Sequence, residues 1–411
     1  MLGIATGTLV TGAGCAPPPD DGQAVYNNTT DPTNGGARHL GAAACASCHP
    51  DVAAVHALHG HAHILKPILG DAPGYPSEAD GAGVPNPPST FTWQDIAYVV
   101  GGYVRKARFI DQDGFLLTTG TTGQRTQWNL LSGPTGAMPV FVEYEASTTA
   151  PKPYAYDCFV CHTTGPAPQD SANPLSQDNR PGLVGTWQEP GVQCEACHGP
   201  GSNHVSNPGA RMLYVNASAV ACGACHNHSP GSDSVIHADD GFILYHQQYS
   251  ELRASGAHAG FACTTCHDPH AGTAYDTNQE IRNTCTACHA GKNMALHENK
   301  IYVRNDYTEP LSCESCHMPF ATRSATSAIV GESRGRVGDT RTHIFRINTS
   351  RTDYLGIFSS DLSAVRKDSQ GRAAVTLDYV CLRCHNTENG YPFKLSLKSA
   401  SDAAPGLHGF Q

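Results

Sequence analysis

The chain has 411 residues, enough for two or three ordinary domains, and a formal net charge of −10 with histidine neutral. It contains no run of basic residues, which argues against nucleic-acid binding. It also contains no stretch of eighteen apolar residues, so the sequence predicts no transmembrane helix. The 42 glycines and 28 prolines predict a loop-rich chain that is still below the range of disordered proteins.

The first segment, residues 1–15, reads as an export leader. A weakly apolar run ends at Gly14-Cys15 before a Pro-rich polar stretch, which resembles the cleavage box of a bacterial lipoprotein with Cys15 as the lipidated residue. Gly12 stands where leucine is usual, and no Lys or Arg precedes the run. An ordinary signal peptide, an incidental free thiol and a misplaced start therefore stay open. Residues 16–38, rich in Pro, Asp, Asn, Thr and Gly, predict a flexible tether.

From residue 45 onward the cysteines follow one repeated pattern, Cys-X-X-Cys-His. Eight copies, numbered here as motifs 1 to 8, contain sixteen of the seventeen cysteines. In chain order the motif residues are Cys45, Cys48 and His49; Cys158, Cys161 and His162; Cys194, Cys197 and His198; Cys222, Cys225 and His226; Cys263, Cys266 and His267; Cys285, Cys288 and His289; Cys313, Cys316 and His317; and Cys381, Cys384 and His385. Structural zinc sites and redox dithiols do not require a histidine after every pair, so both are poor explanations.

This pattern is the attachment signature of c-type haem. The two thiols bond to the vinyl groups of one porphyrin, and the adjacent histidine supplies the proximal ligand of the iron. We therefore expect eight covalently attached haem c groups. Because haem is attached to such proteins outside the cytoplasm, the chain should be exported. Porphyrins should form much of its core, so the apoprotein should not fold.

The histidines outside the motifs are candidates for the second axial ligand of each iron. Fourteen of the 22 histidines are available, whereas there are only five methionines including Met1, so the composition favours bis-histidine ligation. His270 follows His267 by three residues and cannot reach round to the far face of the same porphyrin. It should therefore ligate a neighbouring haem, and His204, shortly after motif 3, should do the same.

Local sequence singles out further candidate distal ligands. His258 directly precedes motif 5, His343 lies in an apolar and partly extended segment, and His246 lies in a stretch that reads as an amphipathic helix. His297 is a further candidate. The weaker candidates are His39, His228, His237 and His408.

A helix is predicted directly after motif 1, because Pro50 and Asp51 suit a first helical turn. Four histidines follow. His56, His59 and His63 share one helical face and His61 lies off it, so the helical pattern favours His59 or His63 as a ligand.

The spacing of the motifs suggests how the chain is organised. Residues 39–66 hold the first haem site, and residues 67–157 form a β-rich insertion in which Asp113-Gly114 is a hairpin turn signal. We expect a small antiparallel β element there, serving as a scaffold or lid, although shielding of a haem and a subunit contact stay open. Residues 158–320 should form a dense haem core. Residues 321–411 should wrap over it, deliver His343 and carry the last motif.

Five stretches resemble bacterial multihaem c-type cytochromes related to the tetrahaem electron carrier of nitrifying bacteria, together with doubled-CXXCH proteins: GAAACASCHPDVAAVHALHGHAHIL, GVQCEACHGPGSNHV, HAGFACTTCHDPHAG, CESCHMPF and GDTRTHIFRIN. The resemblance touches most of residues 39–385. It implies an irregular, loop-rich fold of short α-helices around a haem core. It also implies distal ligands at His61, His204, His258, His270 and His343, and so ranks His61 above its neighbours. The tryptophan usual in the helix after the first haem is His56 here.

Members of this group carry electrons along closely stacked haems, some octahaem members are enzymes, and some surface members form filaments. We first expect an octahaem electron-transfer protein of periplasmic or extracellular respiration rather than a catalyst. The alternatives are an octahaem oxidoreductase acting on small nitrogen or sulfur compounds at one open haem, and a filament-forming extracellular cytochrome. Partners would be other redox proteins or extracellular electron acceptors. The expected location is the outer membrane, cell surface or exterior, otherwise the periplasm, with lipid on Cys15 as the membrane contact.

Overall fold

The computed structural model describes residues 24–27, 30–209, 211–228, 234–275, 281–388 and 393–408. The expected leader, Cys15 and much of the expected tether lie outside these ranges. No described helix is both long and apolar enough to cross a membrane.

Within the described residues the helices are short, four to seven residues each, as the prediction of short α-helices requires. The helices are α1 (Ala42–Ala46), α2 (Pro50–His56), α3 (Thr119–Thr122), α4 (Tyr156–Phe159), α5 (Cys194–His198), α6 (Ser202–Ser206), α7 (Ala219–Gly223), α8 (Gln248–Arg253), α9 (Cys285–Cys288), α10 (Cys313–His317), α11 (Leu377–Val380) and α12 (Leu397–Ala403).

The strands are also short and are distributed over the whole described chain. They are β1 (Ala24–Asn27), β2 (Leu65–Pro67), β3 (Ile96–Gly101), β4 (Lys106–Asp111), β5 (Phe115–Leu116), β6 (Gln127–Asn129), β7 (Val140–Val142), β8 (Lys152–Ala155), β9 (Thr163–Thr164), β10 (Ala167–Pro168), β11 (Leu183–Thr186), β12 (Glu189–Pro190), β13 (Arg211–Tyr214), β14 (Ala238–Asp239), β15 (Phe242–Leu244), β16 (Ile301–Arg304), β17 (Tyr307–Pro310), β18 (Thr322–Val330), β19 (Gly335–Thr340), β20 (Ile347–Asn348) and β21 (Val375–Thr376).

The expected insertion builds the largest sheet, with the strand order β10-β11-β8-β5-β4-β3-β2, β6 paired with β4, and β7 paired with β6. Strand β3 is apolar on both faces because apolar clusters lie on each side of it, one with Tyr98 and one with Val99. The predicted turn forms at Gly114, which has a φ of 91°, while the Asp111 carboxylate accepts the N–H groups of Asp113 and Phe115. The β element is thus larger than predicted, and its β8–β11 pair is parallel.

A second core surrounds the sheet β14-β15-β18-β19 and includes Phe242, Phe358 and Tyr379. The carboxylate of Asp339 on β19 is fully buried and accepts the N–H groups of residues 324–326, where β18 departs from regular pairing. This contact fixes the strand pair whose end leads directly to His343.

The structure differs from the sequence predictions around two groups of histidines. Helix α2 ends at His56, and the chain continues in a 3₁₀ turn, Gly60–His63, in which Nδ1 of His59 accepts the N–H of His61 at 2.9 Å. The helical-face argument for His59 and His63 therefore does not apply. The segment at His246 is not helical either: its φ is 69°, and α8 begins two residues later.

Part of the expected tether is attached to the folded chain. Asn34 is fully buried, and its side-chain amide donates to the carbonyls of His198 and Pro200 at 2.9 and 3.0 Å. The Glu195 carboxylate accepts the N–H groups of Leu40 and Gly41. The segment that precedes motif 1 is thus held against motif 3.

Candidate haem-binding sites

Each motif lies on or beside a single short helical turn. Helices α5 and α10 span motifs 3 and 7, and in motifs 1, 4, 5, 6 and 8 the histidine N–H donates to the carbonyl of the first cysteine at 2.8–3.0 Å. Residues three apart share one face of such a turn, so the two thiols point to the same side and the histidine follows directly. All sixteen motif cysteines are free thiols. This arrangement suits bonding to one edge of a porphyrin.

Seven motif histidines face another imidazole at the separation that a shared iron requires. Metal–nitrogen bonds of about 2 Å on both sides place the two ring centres about 6 Å apart. The pairs and their centroid distances are His49–His204 (6.4 Å), His198–His270 (6.2 Å), His226–His61 (5.9 Å), His267–His343 (6.1 Å), His289–His258 (5.8 Å), His317–His408 (5.9 Å) and His385–His297 (5.8 Å). Rings that stack directly lie closer, as His59 and His61 do at 4.2 Å.

Hydrogen bonds at Nδ1 orient several of these rings. Backbone carbonyls lie 3.0 Å from Nδ1 of His317 and 2.8 Å from Nδ1 of His385. The Asp268 carboxylate lies 3.2 Å from Nδ1 of His270. A ring that donates its Nδ1–H to such an oxygen keeps the lone pair on Nε2 for a metal.

The buried rings are neutral at physiological pH, which is the form that binds a metal. Burial, followed by the neighbouring His267, lowers the pKa of His343 to about 3. Burial also holds the pKa of His61 well below its usual value. Burial, followed by His226, lowers the pKa of His246 to about 3. The donor set and its surroundings therefore fit axial ligation of haem iron.

Thiols of different motifs lie close enough to shift one another's pKa. Burial and the neighbouring Cys194 thiol raise the pKa of Cys45 to about 11, and a hydrogen bond with Cys225 lowers the pKa of Cys161. In the same way, a thiol of one motif shifts the pKa of a thiol in another motif for five further pairs of motifs. These pairs are 3 and 4, 4 and 5, 5 and 6, 6 and 7, and 7 and 8. The motifs therefore follow one another in the order 1-3-4-5-6-7-8, with motif 2 beside motif 4.

Motif 2 differs from the other seven. All 22 histidines lie within the described ranges, and among them no ring faces His162 at this spacing. Its Nδ1 lies 2.7 Å from the Tyr154 hydroxyl, so Tyr154 is on the side away from Nε2. The far side of a porphyrin held by His162 thus has no imidazole of this chain placed as a second ligand.

Cationic side chains of β4 lie near motif 2. Burial and then the Arg108 guanidinium lower the pKa of His162 to about 4. Lys106 and His162 are both among the groups that, after burial and His226, lower the pKa of His246. Burial also lowers the pKa of Lys106 itself to about 8. Residues of the β insertion therefore place positive groups near motif 2, which follows the insertion in the sequence. This role adds to the scaffold or lid that the sequence predicted for the insertion.

The structure brings six of the seven candidate distal histidines opposite a motif histidine. They are His61, His204, His258, His270, His297 and His343. Each of them faces the histidine of a motif that is not the nearest one in the sequence. His246 faces no motif histidine among the described ring pairs, and its ring lies 4.0 Å from that of Tyr245. His408, a weaker candidate from sequence, is the partner of His317. The residues around His408 form no sequence pattern that would have made it a stronger candidate for a distal ligand.

Two family models match parts of the chain. "Cytochrome c554 and c-prime" matches residues 141–199, and "Doubled CXXCH motif" matches residues 256–294. The dissimilatory sulfite reductase MccA of Wolinella succinogenes is 26% identical over 243 residues, which is 47% of this chain and 33% of that protein. The multiheme cytochrome MtrA of Shewanella baltica is 24% identical over 174 residues, which is 41% of this chain and 46% of that protein. The chain thus spans less than half the length of these relatives.

Two solved structures share the fold. The octaheme sulfite reductase MccA of Wolinella succinogenes superposes with a TM-score of 0.55 at 18% identity, covering 90% of this chain and 71% of the other. The outer cell wall cytochrome OcwA superposes with a TM-score of 0.50 at 17% identity, covering 89% and 86%. The motif turns, the family models and these relatives together support a place for this chain among the bacterial multihaem c-type cytochromes.

Proposed function

We propose that this chain is an octahaem c-type cytochrome that conducts electrons through closely spaced haems, most of them ligated by two histidines. The observation that carries the proposal is the set of seven facing imidazole pairs at 5.8–6.4 Å. Haem c supplies one-electron chemistry at its iron. Two neutral imidazoles on either side keep the coordination geometry nearly constant when the charge changes, which suits electron transfer.

The order of the motifs supports a continuous path. Thiols that shift one another's pKa link motif 1 through 3, 4, 5, 6 and 7 to 8, and each thiol would be bonded to a porphyrin edge. Neighbouring porphyrins would therefore have edges near each other. Motif 2 joins this path at motif 4, through Cys161 and Cys225.

A haem count on the exported protein tests this proposal. Intact mass spectrometry should show eight covalently added haem groups, and electron paramagnetic resonance should show at least seven low-spin ferric haems per molecule. Bound zinc, or a mass without the added porphyrins, would contradict the proposal. Peptide mapping would assign each haem to its motif, so that a shortfall could be located.

The partners and location of the chain follow from this role as proposals. We place the protein outside the cytoplasm, in the periplasm or at the cell surface, where it would exchange electrons with other redox proteins or extracellular acceptors. One structural relative is named an outer cell wall cytochrome, which is consistent with a surface position. Lipidation of Cys15 and assembly into filaments remain proposals too. Globomycin-sensitive labelling with a fatty-acid probe would test the first, and electron microscopy of surface material would test the second.

A second candidate function is reduction of a small anion at motif 2. His162 has no facing imidazole among the described histidines, while Arg108 and His246 lie near it and Lys106 lies near His246. The cationic side chains could attract an oxyanion, and Lys106, with its pKa lowered to about 8 by burial, could give up a proton near neutral pH. One relative, MccA, is named a sulfite reductase, so a sulfur oxyanion is the first substrate to test.

Spectra and kinetics separate this candidate from a pure conductor. If motif 2 holds an open haem, carbon monoxide, sulfite or nitrite should shift the spectrum of one haem in eight. Lys106→Met should then weaken oxyanion binding, whereas Lys394→Met, which removes an exposed lysine paired with Glu332, should not. Spectra that stay unchanged with all three ligands would rule the candidate out.

A further inference from the structure

The last described segment of the chain, residues 393–408, touches two neighbouring motifs. Its first residue, Phe393, accepts a hydrogen bond from Nδ1 of His385 in motif 8. Its last residue, His408, faces His317 of motif 7 across 5.9 Å. We propose that His408 is the second axial ligand of the iron at motif 7, so that this segment acts as a clamp over the last two haems. The inference rests on the proposed function, since it requires a haem at motif 7.

The geometry of the His317–His408 pair is that of two imidazoles on one metal. The interplanar angle is 13°, close to the 17° of the pairs at His49 and His198. The centroid distance falls within the 5.8–6.4 Å range of the other six pairs. At this separation the two rings are too far apart to stack in direct contact, and the gap between them suits one iron with a bond of about 2 Å to each ring.

Both rings of the pair are oriented in the same way. Nδ1 of His317 lies 3.0 Å from the carbonyl of Phe345, and Nδ1 of His408 lies 2.9 Å from the carbonyl of Asn293. A carbonyl can only accept, so both rings carry their proton on Nδ1. Each Nε2 therefore keeps its lone pair, and metal-binding histidines are typically held in this way.

No other described histidine competes for this position. Burial, then His289 and then His317 lower the pKa of His258, but the ring of His258 faces His289, at 5.8 Å. Met318 follows His317 directly and, by the reasoning applied to His270, is too close along the chain to reach the opposite face of the same porphyrin.

The segment that carries His408 is anchored rather than free to move away. Helix α12 begins at a capping box in which the Ser396 hydroxyl accepts the N–H of Ser399 at 3.1 Å. Ala400 is buried in a cluster with Leu377 and Leu382, which flank the first cysteine of motif 8. Pro405 then ends the helix in a 3₁₀ turn that leads to His408. The chain thus fixes the ligand through contacts with motif 8.

Motifs 7 and 8 are themselves in contact beneath this segment. Burial, and then the neighbouring thiol of Cys316, raise the pKa of Cys381 to about 12. Arg383, between the two cysteines of motif 8, donates to the carbonyl of Ser315, within motif 7, at 3.0 Å. Displacement of the clamp would therefore open motif 7 and remove the Nδ1 partner of His385 at the same time.

The test compares the exported full-length protein with His408→Ala, His408→Met and the control His39→Ala. His39 belongs to none of the seven facing pairs. Haem content is first measured by intact mass and by the mass of the peptide that contains Cys313. Ferric spin states are then counted by electron paramagnetic resonance, and carbon monoxide binding is titrated on the reduced protein.

If His408 is the ligand, His408→Ala keeps all eight haems but gains one high-spin, carbon-monoxide-binding haem per molecule relative to the wild type. His408→Met restores a low-spin haem with a raised reduction potential, since methionine ligation raises the potential. His39→Ala matches the wild type. Unchanged spin counts in His408→Ala, with a haem on the Cys313 peptide, overturn the inference and leave the proposed function intact. A Cys313 peptide without haem in the wild type overturns the proposed function instead.

Discussion

The hydroxyl of Tyr154 lies 2.7 Å from Nδ1 of His162, the one motif histidine without a facing imidazole in the described chain. Burial raises the pKa of Tyr154 well above its usual value, so the phenol stays protonated and neutral. Because Nε2 would bind the iron, Nδ1–H donates to the phenolic oxygen. This bond makes the imidazole a stronger electron donor and should lower the reduction potential at motif 2.

Tyr154→Phe should therefore raise the reduction potential of one haem. A neutral hydrogen bond contributes about 0.5–1.5 kcal/mol, and for one electron that difference corresponds to at most about 65 mV. Spectroelectrochemical titration would measure the shift. The matched control is Tyr98→Phe, which removes a hydrogen bond between strand β3 and Asp178 and should leave every potential unchanged. Equal effects of the two substitutions would show that the Tyr154 shift is not local to His162.

The attachment motifs can be recognised in the sequence because each motif is local: its five residues are adjacent, and they lie on or beside one helical turn. The distal histidines were harder because facing partners are brought together by tertiary structure. His49 and His204 lie 155 positions apart, and His317 and His408 lie 91 apart, as the residue numbers show. His246 was ranked above His408 because its neighbours resemble an amphipathic helix, yet the chain there takes a φ of 69° and presents the ring elsewhere.

The large sheet also depends on tertiary contacts that the local sequence does not reveal. The longer strands β3 and β4 have clear apolar patterns and were predicted, together with the turn at Gly114 that follows β4. Strands such as β5, β9 and β10 have two residues each, too few to show any periodicity, and β8 and β11 pair in parallel across more than twenty intervening residues. Their pairing depends on the fold around them, and so the sheet could not be sized from the sequence.

Glu309 holds motifs 7 and 8 together through buried charges. Its carboxylate accepts two hydrogen bonds from the Arg383 guanidinium, at 2.9 and 3.0 Å, and both side chains are buried. Glu309→Ala would leave the Arg383 charge without this partner, and the loss of one member of a buried ion pair typically costs about 3–5 kcal/mol. Chemical denaturation of the holoprotein, followed by circular dichroism, should show this loss.

The control for this substitution is Glu388→Ala. Glu388 pairs with Arg304 at 3.2 Å, but its side chain is 43% exposed, and exposed ion pairs contribute about 0–1 kcal/mol. The free energy of unfolding should therefore change little. Similar losses in the two variants would contradict the assignment of the Glu309–Arg383 pair as the stronger connection.

The same pair predicts how stability depends on pH. Burial alone would raise the pKa of Glu309, but Arg383 and then Arg341 overcome this and hold the pKa at about 2, below its usual value of 4.5. A carboxyl whose pKa is lower in the folded state stabilises the protein above its unfolded pKa and loses that contribution as the pH falls. The difference in unfolding free energy between wild type and Glu309→Gln should therefore shrink between about pH 4.5 and pH 2. A difference that stays constant over this range would show that the charge of Glu309 does not stabilise the fold.

Motif 4 is the junction of the proposed electron path, since its thiols lie beside those of motifs 2, 3 and 5. Without a haem there, the path from motif 3 to motif 5 would be broken by a gap, and electron transfer slows steeply with the distance between porphyrin edges. Cys222→Ala combined with Cys225→Ala should thus slow electron transfer through the protein by orders of magnitude, measured on an electrode or between soluble redox partners. The equivalent change in motif 2, Cys158→Ala with Cys161→Ala, removes a side branch and should leave the rate nearly unchanged. If the motif 2 variant were slowed as much as the motif 4 variant, electrons would have to pass through motif 2, and the order 1-3-4-5-6-7-8 would not be the path.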